Sequence, residues 1–226
     1  MLRRLLLAVV GLLSAAAIAL TTWVAWPMRA DLPLAPPLEA WQGDPPSTLY
    51  SQDFEKLAKS FRPQIHRSFC GPATIETVLR AYGNSETDQA NMFPSLLAKL
   101  DTFYSGMSLA ELAELASSVG LHAEIVYADA FDLDSFRSRL KENLGRQGDF
   151  VVVNYDRRVL KQSGAGHIST VAAYDESRDA FLVLDEAAYR YPFTWVPARL
   201  LYAAVHTRAG ERFRGVLFIS DARPIN

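Results

Sequence analysis

Apolar residues recur at helical spacing in the first half of the chain that follows residue 50. One face of residues 72–82 has the i, i+3, i+4, i+7 pattern, formed by Ile75, Val78, Leu79 and Tyr82. Pro72 suits the first turn of this helix, and Gly83 suits its end. Three more helices are predicted, over residues 51–60, 108–119 and 134–144. The second of them opens with a Ser108/Glu111 capping box.

Runs of β-branched and aromatic residues predict strands in the second half. They cover residues 123–128, 150–155, 167–174, 180–184 and 216–220. Because helices come first and a sheet follows, the pattern predicts an α+β fold.

The N-terminus carries an apolar run over residues 5–26, preceded by Arg3 and Arg4. The run is longer than the core of a cleaved signal peptide and long enough to span a bilayer. It predicts a signal anchor over residues 1–28, with an N-terminal membrane helix and the rest of the chain periplasmic or otherwise extracytoplasmic. The alternatives are a cleaved signal peptide that releases a secreted domain, and a helix packed within the domain.

The remaining chain divides into a linker and one domain. Prolines punctuate residues 29–48 and predict an extended linker. Residues 49–226 suffice for a single domain, and half of the 226 residues are hydrophobic, so a core can form. The formal net charge is −2, and Lys and Arg form no run longer than a pair. This composition argues against nucleic-acid binding.

Cys70 is the single cysteine of the sequence. An intramolecular disulfide and a Cys-rich zinc site are therefore excluded. No group of His, Asp and Glu has the spacing of metal ligands, so no metal-binding residue is predicted. A lone cysteine is then either an inert core residue or a reactive thiol.

The surroundings of Cys70 favour a reactive thiol. The residue directly precedes the Pro72 helix, and a helix N-terminus offers free N–H groups and a positive dipole end to a thiolate. Gln64 lies six residues earlier. Its side chain can donate a hydrogen bond to an oxyanion, with the backbone N–H of Cys70 as second donor. The alternative for Gln64 is an ordinary surface amide.

His167 and Asp185 are the predicted base and its partner. His167 follows a glycine-rich stretch that leaves the ring accessible, and it opens a predicted strand. A hairpin centred on Glu176 places His167 and Asp185 opposite each other on one face, nine positions from the turn. The Asp can then fix the imidazole tautomer. A core histidine and a strand-end carboxylate are the alternatives, and the shared register favours catalysis.

The other titratable residues are predicted to be structural or exposed. His66, His122 and His206 lack a suitable acidic partner, and we expect Asp179 and Glu186 to face solvent.

With these residues placed, the sequence resembles the phytochelatin synthase family, the papain-like glutathione γ-glutamylcysteinyltransferases. The resemblance rests on residues 64–82 ("QIHRSFCGPATIETVLRAY"), residues 150–174 ("FVVVNYDRRVLKQSGAGHISTVAAY") and residues 178–197 ("RDAFLVLDEAAYRYPFTWVP"). It implies a papain-like cysteine peptidase fold, with the nucleophile at a helix N-terminus and the His and Asp on an antiparallel sheet.

The resemblance implies catalytic roles for Cys70, His167 and Asp185, with Gln64 in the oxyanion hole. Cys70 attacks the Cys–Gly amide of glutathione, and His167 protonates the leaving glycine. Water or a second glutathione then resolves the γ-Glu-Cys acyl-enzyme. No cofactor is required for the chemistry. A heavy-metal ion such as cadmium is expected as activator or as the thiolate partner of the substrate.

The sequence departs from the family in the substrate pocket. An Arg that the family usually carries three residues after the catalytic Asp is Ala188 here. The γ-Glu carboxylate of glutathione needs a cation, and Arg157, Arg158 or Arg190 could supply it. Tyr191 is a further candidate for substrate contact. The Cys-rich C-terminal region of plant members is not found, which predicts a short bacterial-type member that favours deglycylation over polymer synthesis.

Two other functions stay open at this point. A bacteriocin-processing-type cysteine peptidase shares the Gln, Cys-Gly, Gly-His and Asp elements. A thiol or metal-binding module with a relic triad would keep the same residues without turnover. A homodimer is a further expectation.

Overall fold

The computed structural model describes residues 2–25, 38–43 and 48–221. Within these ranges the chain forms an antiparallel sheet of eight strands in the order β1-β7-β6-β5-β4-β10-β3, with β2 paired to β5. The strands are β1 Glu39–Ala40, β2 Leu49–Tyr50, β3 Leu121–Tyr127, β4 Asp149–Asp156, β5 Gly166–Asp175, β6 Ala180–Leu184, β7 Thr194–Pro197 and β10 Gly215–Asp221. A separate small hairpin pairs β8 Arg208–Ala209 with β9 Arg212–Phe213.

Helices cover both faces of this sheet. The helices are α1 Leu2–Ala25, α2 Phe54–Ser60, α3 Cys70–Ala81, α4 Leu96–Ser105, α5 Leu109–Ser118, α6 Leu133–Leu144 and α7 Ala198–Val205, with a 3₁₀ turn at Ala128–Ala130. Helices α2, α3 and α5 share one hydrophobic core with the sheet, and α6 and α7 share a second core on the opposite face.

Strand β4 shows how the two cores arise from the sequence. Successive side chains of a strand point to opposite faces. Phe150 and Val152 belong to the core beneath α3, whereas Val151 and Val153 belong to the core beneath α6. A strand buried on both faces reads as a continuous apolar run rather than an alternating one. Strand β5, which carries His167, is likewise buried on both faces, and it lies in the centre of the sheet.

The mixed helical and antiparallel-sheet architecture confirms the predicted α+β class. The predicted helices and strands are all present, with ends displaced by up to three residues. The capping box at Ser108 and Glu111 is formed as predicted. Helices α4 and α7 were not predicted, nor were the short strands β1, β2, β7, β8 and β9.

The N-terminal segment confirms only part of its prediction. The predicted helix is present as α1. Across the described parts of the chain, however, no helix has both the length and the apolar character that a membrane crossing requires. The prediction of a membrane-spanning helix is therefore not supported. Most of the predicted linker, including residues 29–37 and 44–47, lies outside the described residues, and the domain boundaries stay predictions.

Candidate active site

Cys70 is the first residue of helix α3 and lines a cleft with His167. Phe69 is the N-cap residue of this helix. The cleft has a volume of about 700 Å³. Its charged residues include Arg67, Glu111 and Arg214. The predicted nucleophile and the predicted base, which are far apart in the sequence, therefore face one space that a tripeptide could enter.

His167 and Asp185 form a buried pair next to this cleft. The Nε2 atom of His167 lies 3.0 Å from Oδ1 of Asp185. The exposed fractions of the two residues are 5% and 2%. Because Asp185 engages Nε2, the other ring nitrogen, Nδ1, is left to exchange a proton with the thiol.

The register of this pair differs from the predicted one. A β-bulge interrupts β5 between Val171 and Ala173, and beyond it Thr170 pairs with Leu184. The predicted register sets His167 directly opposite Asp185. The observed register is displaced from it by two residues. A shift of two residues keeps a side chain on the same face of the sheet, so the contact survives as a diagonal one.

Three donors converge on Oδ1 of Asp185 and favour its ionised form. Its Oδ1 accepts from Nη2 of Arg157 at 2.6 Å, from the backbone N–H of Ala187 at 2.8 Å, and from the His167 ring. Burial opposes ionisation, but His167 and Arg157 outweigh it and hold the pKa of this carboxyl well below its usual range.

Arg157 and Tyr191 lie behind the triad rather than in the cleft. Arg157 is 3% exposed, and its Nη1 donates to Oε1 of Gln162 at 2.7 Å. Its guanidinium lies over the ring of Tyr191, and the Tyr191 hydroxyl accepts from the backbone N–H of Ser163. Both residues are committed to buried contacts, so the expected substrate contact by these two side chains is not supported.

Arg158 and Arg190 also lie outside the residues that line the cleft. Arg158 is paired with Asp156, at 2.5 Å between Nη2 and Oδ2, and its side chain is 70% exposed. Arg190 lies beside the ring of Tyr189 and near Gly164. Neither position supports the expected role in substrate binding.

Burial disfavours a charge on Cys70 or on His167 alone. Desolvation raises the pKa of the Cys70 thiol to about 11, against smaller opposing effects of the Ile168 and Gly71 backbone N–H groups. The helix N-terminus that was expected to stabilise the thiolate is thus outweighed by burial. Desolvation, followed by the charge of Arg157, lowers the pKa of His167 to about 4. Charges on these two groups are therefore best created together, as a thiolate beside an imidazolium.

Gln64 is a buried amide, not a surface one. It is 3% exposed, and its Nε2 donates to the hydroxyl of Tyr189 at 3.1 Å. Its backbone N–H donates to the carbonyl oxygen of Glu186 at 2.8 Å. Gln64 lies outside the residues that line the cleft. An amide nitrogen carries two hydrogens, so the contact with Tyr189 uses one of them and leaves the second.

Arg214 is a candidate substrate-binding residue that the sequence analysis missed. It directly precedes β10, and its Nη1 donates to Oδ1 of Asn154 at 2.8 Å while its Nε donates to the Thr207 hydroxyl. A Cβ atom at Gly166 would lie 2.6 Å from Nη1 of Arg214. The absence of a side chain at Gly166, just before His167, therefore leaves room for the Arg214 guanidinium. No local sequence pattern predicts this contact.

Glu186 is buried, contrary to the expectation that it faces solvent. It has 0% exposure, and its Oε1 accepts from the backbone N–H of Thr170 at 3.3 Å. The chain turns after the end of β6, so two consecutive acidic residues, Asp185 and Glu186, both point inward.

The remaining histidines occupy the structural positions predicted for them. His66 is 4% exposed and stacks on Phe103, with 3.9 Å between ring centroids. His122 and His206 are exposed. Among the described residues, no three or more His, Cys, Asp or Glu side chains form a group that could hold a metal ion.

Residues 46–215 match the family model described as phytochelatin synthase. Over 189 residues the chain is 30% identical to glutathione gamma-glutamylcysteinyltransferase 3 of Lotus japonicus, with coverage of 76% of this chain and 38% of the relative. It is 30% identical to enzyme 2 of Arabidopsis thaliana, with coverage of 75% and 40%. The Schizosaccharomyces pombe enzyme is 26% identical, with coverage of 68% and 39%. The chain thus spans about two fifths of the length of these curated relatives.

Solved structures with a similar arrangement are bacterial peptidase domains. The peptidase domain of Streptococcus ComA aligns with a TM-score of 0.46 and 16% identity, covering 71% of this chain and 96% of that one. A double-glycine-motif protease from an AMS/PCAT transporter aligns with a TM-score of 0.42 and 14% identity, covering 70% and 89%. These values are too low to support an argument.

Proposed function

This chain belongs to the phytochelatin synthase family, and from that membership and the geometry of the cleft we propose that it is a cysteine enzyme that removes glycine from glutathione. The proposal rests on one observation. Cys70, at the start of a helix, lines one cleft with His167, and the ring of His167 is held by Asp185. The relatives named above are glutathione γ-glutamylcysteinyltransferases, which supports the same substrate here.

The reaction begins with proton transfer from the thiol of Cys70 to His167. The sulfur attacks the carbonyl carbon of the Cys–Gly amide, and Gln64 and the Cys70 backbone N–H donate to the developing oxyanion. The C–N bond then breaks, and His167 returns its proton to the glycine nitrogen. A γ-Glu-Cys thioester remains on Cys70. Attack by water regenerates the thiol and releases γ-Glu-Cys, whereas attack by the amine of a second glutathione extends the peptide.

Asp185 and Arg157 set the electrostatics of this proton transfer. The ionised Asp185 stabilises the imidazolium that forms when His167 takes the proton. Arg157 keeps Asp185 ionised and opposes a permanent charge on His167. His167 is therefore neutral before attack and can act as a base.

Arg214 offers a cation for the carboxylate of the γ-Glu moiety. Its guanidinium lines the cleft next to Gly166 and is held by Asn154 and Thr207. A fixed guanidinium suits two-point binding of a carboxylate. We assign to Arg214 the role that the sequence analysis gave to Arg157, Arg158 or Arg190.

Arg214→Gln is expected to raise KM for glutathione about 10- to 100-fold. This factor corresponds to the loss of the binding free energy of one charge-assisted hydrogen bond. The measurement is glycine release at varied glutathione concentration. Arg158→Gln is the matched control, because Arg158 is exposed and paired with Asp156, and it should leave KM unchanged. The peptide 4-aminobutyryl-Cys-Gly lacks the carboxylate in question. If Arg214→Gln impaired its cleavage as strongly as that of glutathione, the assignment of this carboxylate would be wrong.

We propose that a heavy-metal ion such as cadmium enters this reaction with the substrate, as the metal–thiolate complex of glutathione. A thiolate is a favourable ligand for a soft metal ion, and this complex would present the acceptor peptide to the acyl-enzyme. The expected extracytoplasmic location and the expected homodimer stay predictions.

Mass spectrometry of the purified protein with glutathione tests the proposed function. We expect an adduct with the mass of γ-Glu-Cys on Cys70, released glycine, and free γ-Glu-Cys as the main product without cadmium. Cleavage of a double-glycine leader peptide, with no adduct from glutathione, would instead establish the peptidase alternative. Absence of any acyl adduct from either substrate would support a relic triad.

A further inference from the structure

Glu186 is a fully buried carboxyl group that the proposed reaction does not use. It directly follows Asp185, and none of its surface is exposed. Its Oε2 atom has no hydrogen-bond partner among the described residues. The basic side chains of the site, Arg157 and His167, contact Asp185 instead. A buried polar group in this position requires an explanation.

Glu186 contacts the segments that carry Gln64, His167 and Cys70. Its carbonyl oxygen accepts from the backbone N–H of Gln64 at 2.8 Å. Its Oε1 accepts from the backbone N–H of Thr170 at 3.3 Å and from the Thr170 hydroxyl at 3.4 Å, on the strand that carries the imidazole. The hydroxyl of Thr74 lies near the carboxyl from helix α3, one helical turn after Cys70.

Burial and a neighbouring carboxylate favour the protonated form of Glu186. Burial, together with the charge of the adjacent Asp185, raises the pKa of this carboxyl to about 8, against a lowering by the hydroxyls of Ser169 and Thr74 and by the backbone N–H of Glu186. The hydroxyls of Thr74 and Ser169 lie beside this carboxyl, but among the described residues neither hydroxyl nor Oε2 has a partner with full hydrogen-bond geometry. A proton on Oε2 gives this group a donor that can use one of those hydroxyl oxygens, which an ionised carboxylate does not have.

We propose that Glu186 is a positioning residue that works in its protonated form and ties helix α3 to strand β5, so that Cys70 is held facing His167. This proposal rests on the proposed function. The titratable groups that face Glu186 are Asp185 on its own segment, Cys70 on α3 and Tyr155 on β4. Each of them is negative when ionised, so loss of the Glu186 proton would oppose formation of the Cys70 thiolate.

The test compares Glu186→Gln with the wild-type enzyme over a range of pH. Glutamine keeps the shape and stays neutral, so kcat/KM for glycine release should match the wild type at pH 6 to 7. Above about pH 8 the wild type should lose activity relative to Glu186→Gln, reaching about tenfold at pH 9. Ionisations of glutathione affect both proteins equally and cancel in this ratio. A ratio that stays constant across the range, or a large loss in Glu186→Gln at pH 6, would overturn the proposal.

The variant Glu186→Leu tests whether the hydrogen bonds of Glu186 position the site or whether its side chain only fills space in the core. Leucine removes both the proton and the acceptor for Thr170, so kcat should fall about tenfold while the far-ultraviolet circular dichroism spectrum is kept. If Glu186→Leu were as active as Glu186→Gln, the hydrogen bonds of this residue would not position the site.

Urea unfolding gives a readout that needs no glutathione. The folded state binds one more proton than the unfolded state between about pH 5, just above the ordinary pKa of Glu, and about pH 8. The unfolding equilibrium constant of the wild type should therefore rise up to tenfold per pH unit relative to Glu186→Gln in this window. This result would hold even if glutathione proved not to be the substrate. Parallel pH profiles for the two proteins would show that Glu186 is not protonated in the fold.

Discussion

Replacing Cys70 by alanine is expected to abolish glycine release from glutathione, with a loss of roughly 10⁴-fold or more in kcat. No other group in the chain can replace the nucleophile, because Cys70 is the single cysteine. The measurement is glycine release by an amine-specific assay, together with the mass of the protein after incubation with glutathione. The alanine variant should form no acyl adduct.

Two controls show that this loss comes from chemistry and not from unfolding. Alanine is smaller than cysteine by one sulfur atom, so helix α3 should keep its packing and the thermal unfolding midpoint should change little. Alkylation of the wild type with iodoacetamide must react at Cys70 and should block activity in proportion to labelling. If the Cys70→Ala protein still released glycine at the wild-type rate, the nucleophile would have to be sought elsewhere.

Arg157→Met is expected to lower both stability and activity. It leaves the carboxylate of Asp185 buried without its strongest donor, at a cost of about 3–5 kcal/mol in the free energy of unfolding. Activity should fall about 100-fold because Asp185 no longer holds its charge next to His167.

Asp185 has a lowered pKa, so its contribution to stability is present above the ordinary pKa of Asp and is lost as the pH falls. Removal of Arg157 should therefore flatten the acid limb of the stability profile.

Neighbouring and double variants distinguish this role from substrate binding. Arg158→Met removes an exposed ion pair and should change stability by less than about 1 kcal/mol. The double variant Arg157→Met/Asp185→Asn removes the orphaned charge and should be more stable than Arg157→Met alone. The sequence-based interpretation of Arg157 predicts another outcome, a raised KM at unchanged stability. That result would contradict the buried role.

The sequence predicted those parts of the site that depend on local patterns. The helix that starts near Cys70 follows from its apolar spacing and from Pro72, and the two strands after His167 follow from their β-branched residues. The contact of His167 with Asp185 was predicted from strand periodicity. It is formed although the register is displaced by two residues, because such a shift preserves the face of the sheet.

The remaining features depend on packing between distant segments. Arg214 reaches the cleft because β10 pairs with β4, which brings it to Asn154. Arg157 was assigned to the substrate as a cation that could replace the family arginine, which is Ala188 here, whereas the fold pairs it with Asp185. Glu186 is buried because the chain turns after β6, and no periodicity describes that turn. Each of these positions is set by a neighbour that lies 28 or more positions away, or by a turn.

The bulge between Val171 and Ala173 has a consequence for length variation among homologues. It separates the hairpin into a turn half and a site half whose pairings are offset by one position. An insertion of one residue in β6 between Val183 and Asp185 would point this carboxylate away from the imidazole, whereas an insertion in the turn half would leave it in place. Natural length changes in this hairpin should therefore accumulate on the turn side and be rare on the side of the triad.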